Sequence, residues 1–171
     1  MSEEPFDIRV CIIEKIRELY GPDIEESLAT KIISQELIID PYKLHDRDAL
    51  ASCRLHDQTY IQIFYELLKN ATIHGHSIDG KVPIQFEREE IRRQGDPKPA
   101  LVISNGWERE PTPKLVGAQL EDQWMPISFA SPSGLSFAAM VLNKTSSGVL
   151  LARVLRDPNI FQIGLMLDGM R

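Results

Sequence analysis

Cysteine is scarce in this sequence. The 171-residue chain has two cysteines, Cys11 and Cys53, which are too few for a disulfide framework or a thiolate metal site. Cys11 stands in an apolar run and is predicted to lie in the core. A chain without disulfides suits a reducing compartment, and the sequence therefore predicts a cytoplasmic location.

Long hydrophobic runs and concentrated positive charge are also missing. No apolar stretch approaches the roughly 20 residues that span a bilayer, and the acidic start MSEEPFD does not have the pattern of a signal peptide. The net charge is −6, whereas proteins that follow nucleic-acid phosphates concentrate lysine and arginine. The basic residues between Arg88 and Lys98 alternate with acidic ones, as on a solvated surface. The sequence thus predicts neither a membrane protein nor a nucleic-acid-binding protein.

What remains is the composition of an ordinary globular domain. Hydrophobic residues make up 43% and charged residues 26% of the chain, which is long enough to bury a core without metal or disulfide staples. Apolar spacing predicts helices over Asp7 to Tyr20 and Ile24 to Leu37, separated by Gly21-Pro22. These two helices would form an antiparallel hairpin within residues 1–40. Residues 41–171 would form the second unit.

The second unit changes from a helical to a strand pattern. Its first helix starts at Asp57 or Thr59 and ends near His74, with Gly75 as the C-terminal stop. Further patterns predict strands over Lys81 to Glu87, Ala100 to Ser104, Gly148 to Val154 and Ile160 to Leu167, and a helix over Gly134 to Lys144. Residues 107–133 are irregular and proline-rich, which is typical of a lid. This order predicts an α/β two-layer sandwich: a mixed, mainly antiparallel sheet covered by helices on one face and largely solvated, or used for contacts, on the other.

Glu66 and Asn70 stand four residues apart and therefore project from one face of the predicted helix, near His74. An asparagine oxygen suits a hard cation such as Mg²⁺, and a carboxylate can orient or deprotonate a water in the hydration shell of that cation. An ordinary polar helix face would have the same two residues. His74 equally fits a cation that interacts with the helix dipole. Spacing alone leaves these alternatives open.

The longer string ELLKNATIHG, from Glu66 to Gly75, resembles the N-box of the GHKL superfamily, the histidine-kinase-like ATPases. The order of the downstream segments is also similar to that family. Each segment of the family pattern has a counterpart here, in the same order: the strands VPIQFE and LVISNGWE, the predicted lid, the helix start PSGLSF and the closing strand pair. The resemblance covers about residues 55 to 168. It implies a histidine-kinase ATPase-like fold with ATP and Mg²⁺ as cofactors.

Single positions carry over from this resemblance. Glu66 would be the catalytic carboxylate that orients or polarises water. Asn70 would be the Mg²⁺ ligand that bridges to the phosphates. The other nucleotide-binding positions would be His74 near the end of the helix, Ser104 and Gly106 in the adenine box, and Gly134 and Leu135 at the phosphate-binding helix start.

The chain departs from the family pattern at both ends of the expected nucleotide. Ser104 replaces the aspartate that accepts a hydrogen bond from the adenine amino group, and serine lacks the charge that strengthens this bond. Glu108 replaces a glycine of the same box, and Pro132 and Ser136 replace glycines beside Gly134. Losing one charge-assisted hydrogen bond costs about 1.5–3 kcal/mol. We therefore expect weak binding of a magnesium nucleotide.

The implied function is that of a signalling protein that acts with a protein partner. One form of this function is a protein kinase. Residues 1–44 contain no histidine, so the usual phosphoacceptor of a sensor kinase hairpin is missing. His56 could take that role only if its connector is helical and exposed.

Other functions remain open. One is a pseudo-ATPase, an interaction module or phosphotransferase-like adaptor that has lost ATP binding and uses its N-terminal helices for a homodimer or a partner. Another is an unrelated α/β protein. The pairs His45-Asp46 and His56-Asp57 fit a metal phosphohydrolase poorly, because that class needs such pairs across a larger helical domain.

Overall fold

The computed structural model describes residues 6–21, 30–39, 57–76, 82–93, 95–107, 123–127, 134–144, 148–156 and 159–171. In chain order, the elements within these ranges are β1 (Phe6–Asp7), α1 (Ile8–Tyr20), β2 (Thr30–Lys31), β3 (Ile38–Ile39), α2 (Asp57–His74), β4 (Ile84–Ile91), β5 (Lys98–Gly106), β6 (Met125–Pro126), α3 (Gly134–Lys144), β7 (Gly148–Leu155) and β8 (Ile160–Leu167). The predicted α2, α3 and four longer strands are all present, with small shifts at their ends.

The main sheet has six strands in the order β2-β4-β5-β8-β7-β6. Five of these strands, from β4 across to β6, form four antiparallel pairs, and β2 pairs with β4 in parallel. β1 and β3 pair separately, and Ile39 of β3 forms a bridge with Met170 near the end of the chain. The predicted mixed, mainly antiparallel sheet is confirmed.

One face of this sheet carries the helices and the main core. α2 turns Ile63, Leu67 and Ala71 towards the sheet at the three- and four-residue spacing of an amphipathic helix. The strands present alternate residues to the same core, as Ile84 and Phe86 of β4 do. From the other helices, this core includes Ile8, Ile12 and Ile16 of α1, and Leu135, Ala138, Ala139 and Leu142 of α3. The predicted two-layer sandwich with helices on one face is therefore confirmed.

The ends of α1 are set by Asp7 and Gly21. Asp7 caps the helix by accepting a hydrogen bond from the backbone N–H of Arg9 (3.0 Å), and Gly21 follows its last turn with φ 87°, donating its N–H to Arg17 O (2.9 Å). Burial acts to raise the pKa of Asp7. The hydrogen bonds and charge of Arg9 outweigh burial, so the pKa of Asp7 lies below its ordinary value.

The predicted second helix, Ile24 to Leu37, is wrong over the part that the structure describes. Thr30–Lys31 is a strand beside β4, and residues 32–37 lead to β3 without helical structure. Ile33 and Leu37 are buried in the main core from this extended segment. Packing at the sheet edge therefore overrides a weak helical spacing. The predicted helical hairpin within residues 1–40 consists, where described, of α1 and short strands that join the core of the sheet.

The second face of the sheet was predicted to be largely solvated or used for contacts, and the first of these two alternatives is wrong. Ala100, Val102 and Leu151 lie on this face and are fully buried. The indole of Trp124 packs over Gly164, where an added β-carbon would lie 3.1 Å from the ring. Trp124 reaches this position because the next two residues form β6, which pairs with β7. The sheet therefore has buried side chains on both faces.

The predicted lid, residues 107–133, is described at Trp107 and over residues 123–127. Within the described part, Met125–Pro126 form an edge strand, β6. The remaining part of the predicted lid, with Glu108 and Pro132, lies outside the described residues, as do His45, Asp46 and His56. Among the helices in the described ranges, none is long and apolar enough to cross a lipid bilayer.

Candidate functional site

Glu66 and Asn70 lie one turn apart on the flank of α2. The neighbouring Leu67, Leu68 and Ala71 are at most 2% exposed and hold the helix against the sheet. Glu66 and Asn70 are half-buried beside this stripe. The packing of the apolar residues therefore fixes the direction in which the carboxylate and the amide point.

The carboxylate of Glu66 lies against Gly134, the first residue of α3. A β-carbon on Gly134 would stand 1.7 Å from Glu66 Oε2 and 2.7 Å from the carboxyl carbon. The N-terminus of a helix exposes backbone N–H groups and favours negative charge. The first turn of α3 contains no acidic residue, so Glu66 brings negative charge to it from another helix. Two predicted site residues thus meet at this helix start.

Asn70 has a buried and unpaired amide oxygen. Within the described part of the chain, three buried side-chain atoms have no hydrogen-bond partner: Asn70 Oδ1, Asn105 Oδ1 and Trp107 Nε1. Leaving a buried polar atom unpaired costs about 1–3 kcal/mol, and such an atom needs an explanation. A neutral oxygen of this kind fits the predicted Mg²⁺ ligand, because Mg²⁺ uses few protein oxygens together with phosphates and water.

The C-terminal end of α2 contacts the end of β5. Gly75 N–H donates to Ala71 O (2.9 Å) as the predicted helix stop, and His76 N–H donates to Gly106 O (2.8 Å). Asn105 Nδ2 also donates to Gly106 O (2.9 Å) and lies 3.4 Å from where a β-carbon of Gly75 would be. The predicted site residue Gly106 is thus brought to the same helix as Glu66 and Asn70.

Ser104 faces away from α2. Successive side chains of a strand point to opposite faces, and in β5 Ile103 joins the core under the helices whereas Val102 joins the cluster on the second face. Ser104 shares the face of Val102, where its Oγ accepts a hydrogen bond from Gln162 Nε2 (3.0 Å). The structure therefore does not bring the Ser104 side chain together with Asn70.

Ser104 instead belongs to a polar network on the second face. Gln162 Oε1 accepts a hydrogen bond from Arg153 Nε (2.8 Å), and Arg153 Nη2 lies 3.3 Å from Glu89 Oε2. The Arg153 guanidinium also stacks on the indole of Trp124, 4.3 Å from the ring centre. These contacts connect β4, β5, β8, β7 and the segment of β6, as a structural network does.

Asn105 and Trp107 are the residues that the sequence did not single out. Both lie on the helix side of the sheet end: Asn105 is 4% exposed, and Trp107 is 8% exposed within the main core. Their unpaired atoms are one acceptor and one donor. The Trp107 ring also lies 5.5 Å from the Arg156 guanidinium. Because the structure shows that Ile103 faces the helices, strand alternation places Asn105 on the same face, which the sequence alone does not indicate.

Leu135 and His74 contribute less to the described site. The Leu135 side chain is buried in the core. Ser136, which replaces a glycine of the family pattern, is also buried. α2 ends at His74, whose side chain lies outside the described residues.

A cavity of about 720 Å³ lies at the opposite end of the sheet from Gly106. It is formed where the β4–β5 hairpin meets the residues after β8, and its lining includes Arg93, Asp96, Lys98, Asn143, Asp168 and Met170. None of the predicted site residues lines it. Among the described residues, the unpaired buried atoms of Asn105 and Trp107 lie at the other end of the sheet.

Comparison with known proteins identifies the fold. No family model matches the chain, and no curated protein sequence matches it. Among solved structures, the catalytic domain of histidine kinase ThkA is similar with a TM-score of 0.54 and 15% identity, over 98% of this chain and 97% of that one. The histidine kinase domain of the E. coli osmosensor EnvZ is similar with a TM-score of 0.50 and 12% identity, over 98% and 89%.

Two further solved structures extend the comparison. Histidine kinase AdeS of Acinetobacter baumannii is similar with a TM-score of 0.50 and 15% identity, over 96% of this chain and 67% of that one. ThkA in complex with the response regulator protein TrrA is similar with a TM-score of 0.53 and 14% identity, over 95% and 41%. At these identities the likeness concerns the fold. The chain has the fold of a histidine kinase catalytic domain.

Proposed function

We propose that this chain is a signalling domain that binds a magnesium nucleotide weakly through the Glu66–Asn70 face of α2. The observation that carries this proposal is the buried, unpaired Oδ1 of Asn70, one turn from a carboxylate that lies at the start of α3. A solvated helix face would leave both groups in water. A buried acceptor without a partner is instead typical of a site whose partner is a ligand.

The chemistry of these residues suits a triphosphate. Asn70 Oδ1 would ligate Mg²⁺ directly, and the start of α3 would offer backbone N–H groups to phosphate oxygens. When bound, the ion would neutralise the phosphates and hold them in position. Glu66 would orient a water or a hydroxyl group near the terminal phosphate, as a carboxylate within hydrogen-bond reach can do.

Asn105 and Trp107 support a base-binding role at the other end of this face. The unpaired Asn105 oxygen can accept a hydrogen bond from an exocyclic amino group, and the unpaired Trp107 N–H can donate one to a ring nitrogen. Adenine presents these two groups side by side. A neutral amide gives a weaker hydrogen bond than a carboxylate, about 0.5–1.5 rather than 1.5–3 kcal/mol. We therefore propose Asn105 rather than Ser104 as the acceptor, and weak binding follows.

A protein partner is part of the proposal. ThkA, which shares this fold, has been crystallised with a response regulator protein, so the fold is compatible with such a complex. For this chain, we propose a signalling protein as the partner or phosphorylated substrate. A homodimer through the N-terminal segment remains a prediction, which light scattering of the full chain would test.

The second candidate is a pseudo-ATPase adaptor. One observation favours it: the Glu66 carboxylate lies at the start of α3, where a phosphate would have to bind. Under this alternative, the fold serves for protein contacts and the chain binds no nucleotide. The two candidates therefore differ in whether the chain binds a nucleotide.

Titration calorimetry of the full chain with Mg-ATP tests the proposal. We expect a dissociation constant of roughly 0.1–1 mM, corresponding to about −5.5 to −4 kcal/mol. Asn70→Ala should weaken binding at least about tenfold, since it removes the magnesium ligand. Lys69→Ala, an exposed neighbour on α2, is the matched control and should leave binding unchanged. No heat of binding at millimolar Mg-ATP would refute the nucleotide function and leave the adaptor.

A further inference from the structure

The side-chain amide of Asn105 is held in one orientation by the backbone of the next residue. Asn105 Nδ2 donates a hydrogen bond to Gly106 O (2.9 Å), and the backbone N–H of His76 donates to the same oxygen (2.8 Å). A carbonyl oxygen can only accept, so the NH₂ group of Asn105, and not its oxygen, faces Gly106. Reversing the amide would lose this bond and set two oxygens against each other. The oxygen Oδ1 therefore lies on the side of the amide away from Gly106 O.

Asn105 Oδ1 and Trp107 Nε1 are a buried acceptor and a buried donor that do not bond to each other. Asn105 is 4% exposed and Trp107 is 8% exposed, and neither atom has a hydrogen-bond partner in the described part of the chain. The two residues are two positions apart and lie on the same side of the sheet end. An unpaired buried polar atom is costly and rare in a folded protein. A ligand that satisfies both atoms at once accounts for the pair.

The ligand group that fits is a hydrogen-bond donor beside an acceptor. Adenine has such an edge, since its 6-amino group can donate to Asn105 Oδ1 and its ring nitrogen N1 can accept from Trp107 Nε1. Hypoxanthine, the base of inosine, has an oxygen and an N–H at these two places. It would set oxygen against oxygen at Asn105 and N–H against N–H at Trp107. An amide that turned freely could still bind hypoxanthine by presenting its NH₂ group, but the bond to Gly106 O holds that group back.

We propose that Gly106 O fixes Asn105 as an acceptor, and that Asn105 thereby selects purines with a 6-amino group against those with a 6-oxo group. This inference rests on the proposed nucleotide function. Position 105 then requires an amide, because one end donates to Gly106 O while the other accepts from the base. An ionised aspartate has no donor for Gly106 O. A carboxylate, which ordinarily makes the stronger hydrogen bond, is therefore the poorer group at this position.

Titration of the full wild-type chain with Mg-ATP and with Mg-ITP tests the selection without any substitution. The two ligands differ only at the edge of the base that faces Asn105 and Trp107, and ligand-observed NMR follows binding in the millimolar range. We expect Mg-ITP to bind at least about tenfold more weakly than Mg-ATP, because its base leaves buried polar groups mismatched. A smaller difference, or tighter binding of Mg-ITP, overturns the selection and leaves the nucleotide function intact. If neither ligand binds at millimolar concentration, the nucleotide function and the selection fall together.

The substitution Asn105→Asp tests whether the amide is required. It keeps the shape of the side chain and removes the donor to Gly106 O, so we expect Mg-ATP binding to weaken about tenfold and the melting temperature to fall. Asn143→Asp makes the same chemical change at an exposed position of α3, and this matched control should leave Mg-ATP binding unchanged. Unchanged or tighter binding of Mg-ATP to Asn105→Asp would overturn the requirement for an amide. If Asn105→Asp does not fold, the comparison of Mg-ATP with Mg-ITP on the wild-type chain decides.

Discussion

Exchange of Asn70 for alanine should abolish or weaken nucleotide binding without lowering stability. The unpaired Asn70 oxygen costs the free chain about 1–3 kcal/mol. Alanine is up to about 0.7 kcal/mol more favourable than asparagine inside a helix. Against these gains stands the lost burial of a small group, roughly 1 kcal/mol. The free energy of unfolding of Asn70→Ala should therefore be unchanged or raised by up to about 2–3 kcal/mol.

Urea denaturation followed by circular dichroism measures this change, and calorimetry with Mg-ATP measures binding in the same preparation. Asn143→Ala replaces an exposed asparagine on α3 and serves as the matched control. It should change the free energy of unfolding only by the helix preference, less than about 0.7 kcal/mol, and should not affect binding. A loss of more than about 1 kcal/mol in Asn70→Ala would show that Asn70 has a structural partner, and would refute the reasoning.

Three further predictions concern the scaffold. Leu67→Ala should lower the free energy of unfolding in urea by about 2–5 kcal/mol, whereas Lys69→Ala on the exposed side of α2 should change it by less than about 0.5 kcal/mol. The folded pKa of Asp7 lies below its unfolded value, so the contribution of Asp7 to stability is lost as the pH falls through the folded pKa. The melting temperatures of wild type and Asp7→Asn should therefore converge in acid. A difference that stays constant with pH would contradict this prediction. Arg153→Met should cost about 1–3 kcal/mol and red-shift tryptophan emission, because it leaves the buried Gln162 Oε1 without its donor and uncovers an indole.

The fold is largely predictable from the sequence because its long elements have clear periods. The buried stripe of α2 follows helical spacing through Leu67 and Ala71, and α3 has the predicted bounds Gly134–Lys144. The segment over residues 30–39 was not predictable in the same way. Its apolar residues fit a partial helical stripe, and only contact with the edge of the sheet makes the extended form bury Ile33 and Leu37.

The candidate site is predictable on α2 and not on β5, for a physical reason. Once the buried stripe of a helix is known, the directions of all its remaining residues follow, so Glu66 and Asn70 could be assigned to one face. β5 is buried on both faces, and the run ALVIS therefore contains no alternation that would show which residues face the helices. A shift of one residue exchanges the two faces of a strand. The family resemblance accordingly predicts Ser104 as the adenine-binding position, whereas Asn105 faces α2.

The polar residues on the two faces of the sheet at β5 differ in their hydrogen bonding, and this difference favours a binding site on the helix face. On the second face, Ser104 is paired within the Gln162 and Arg153 network. On the helix face, Asn105 and Trp107 each keep an unpaired buried atom. Together with Asn70, the three unpaired atoms cost roughly 1–3 kcal/mol each, against a typical net stability of about 5–15 kcal/mol. The proposed nucleotide site would give these three atoms partners, which stability alone does not provide.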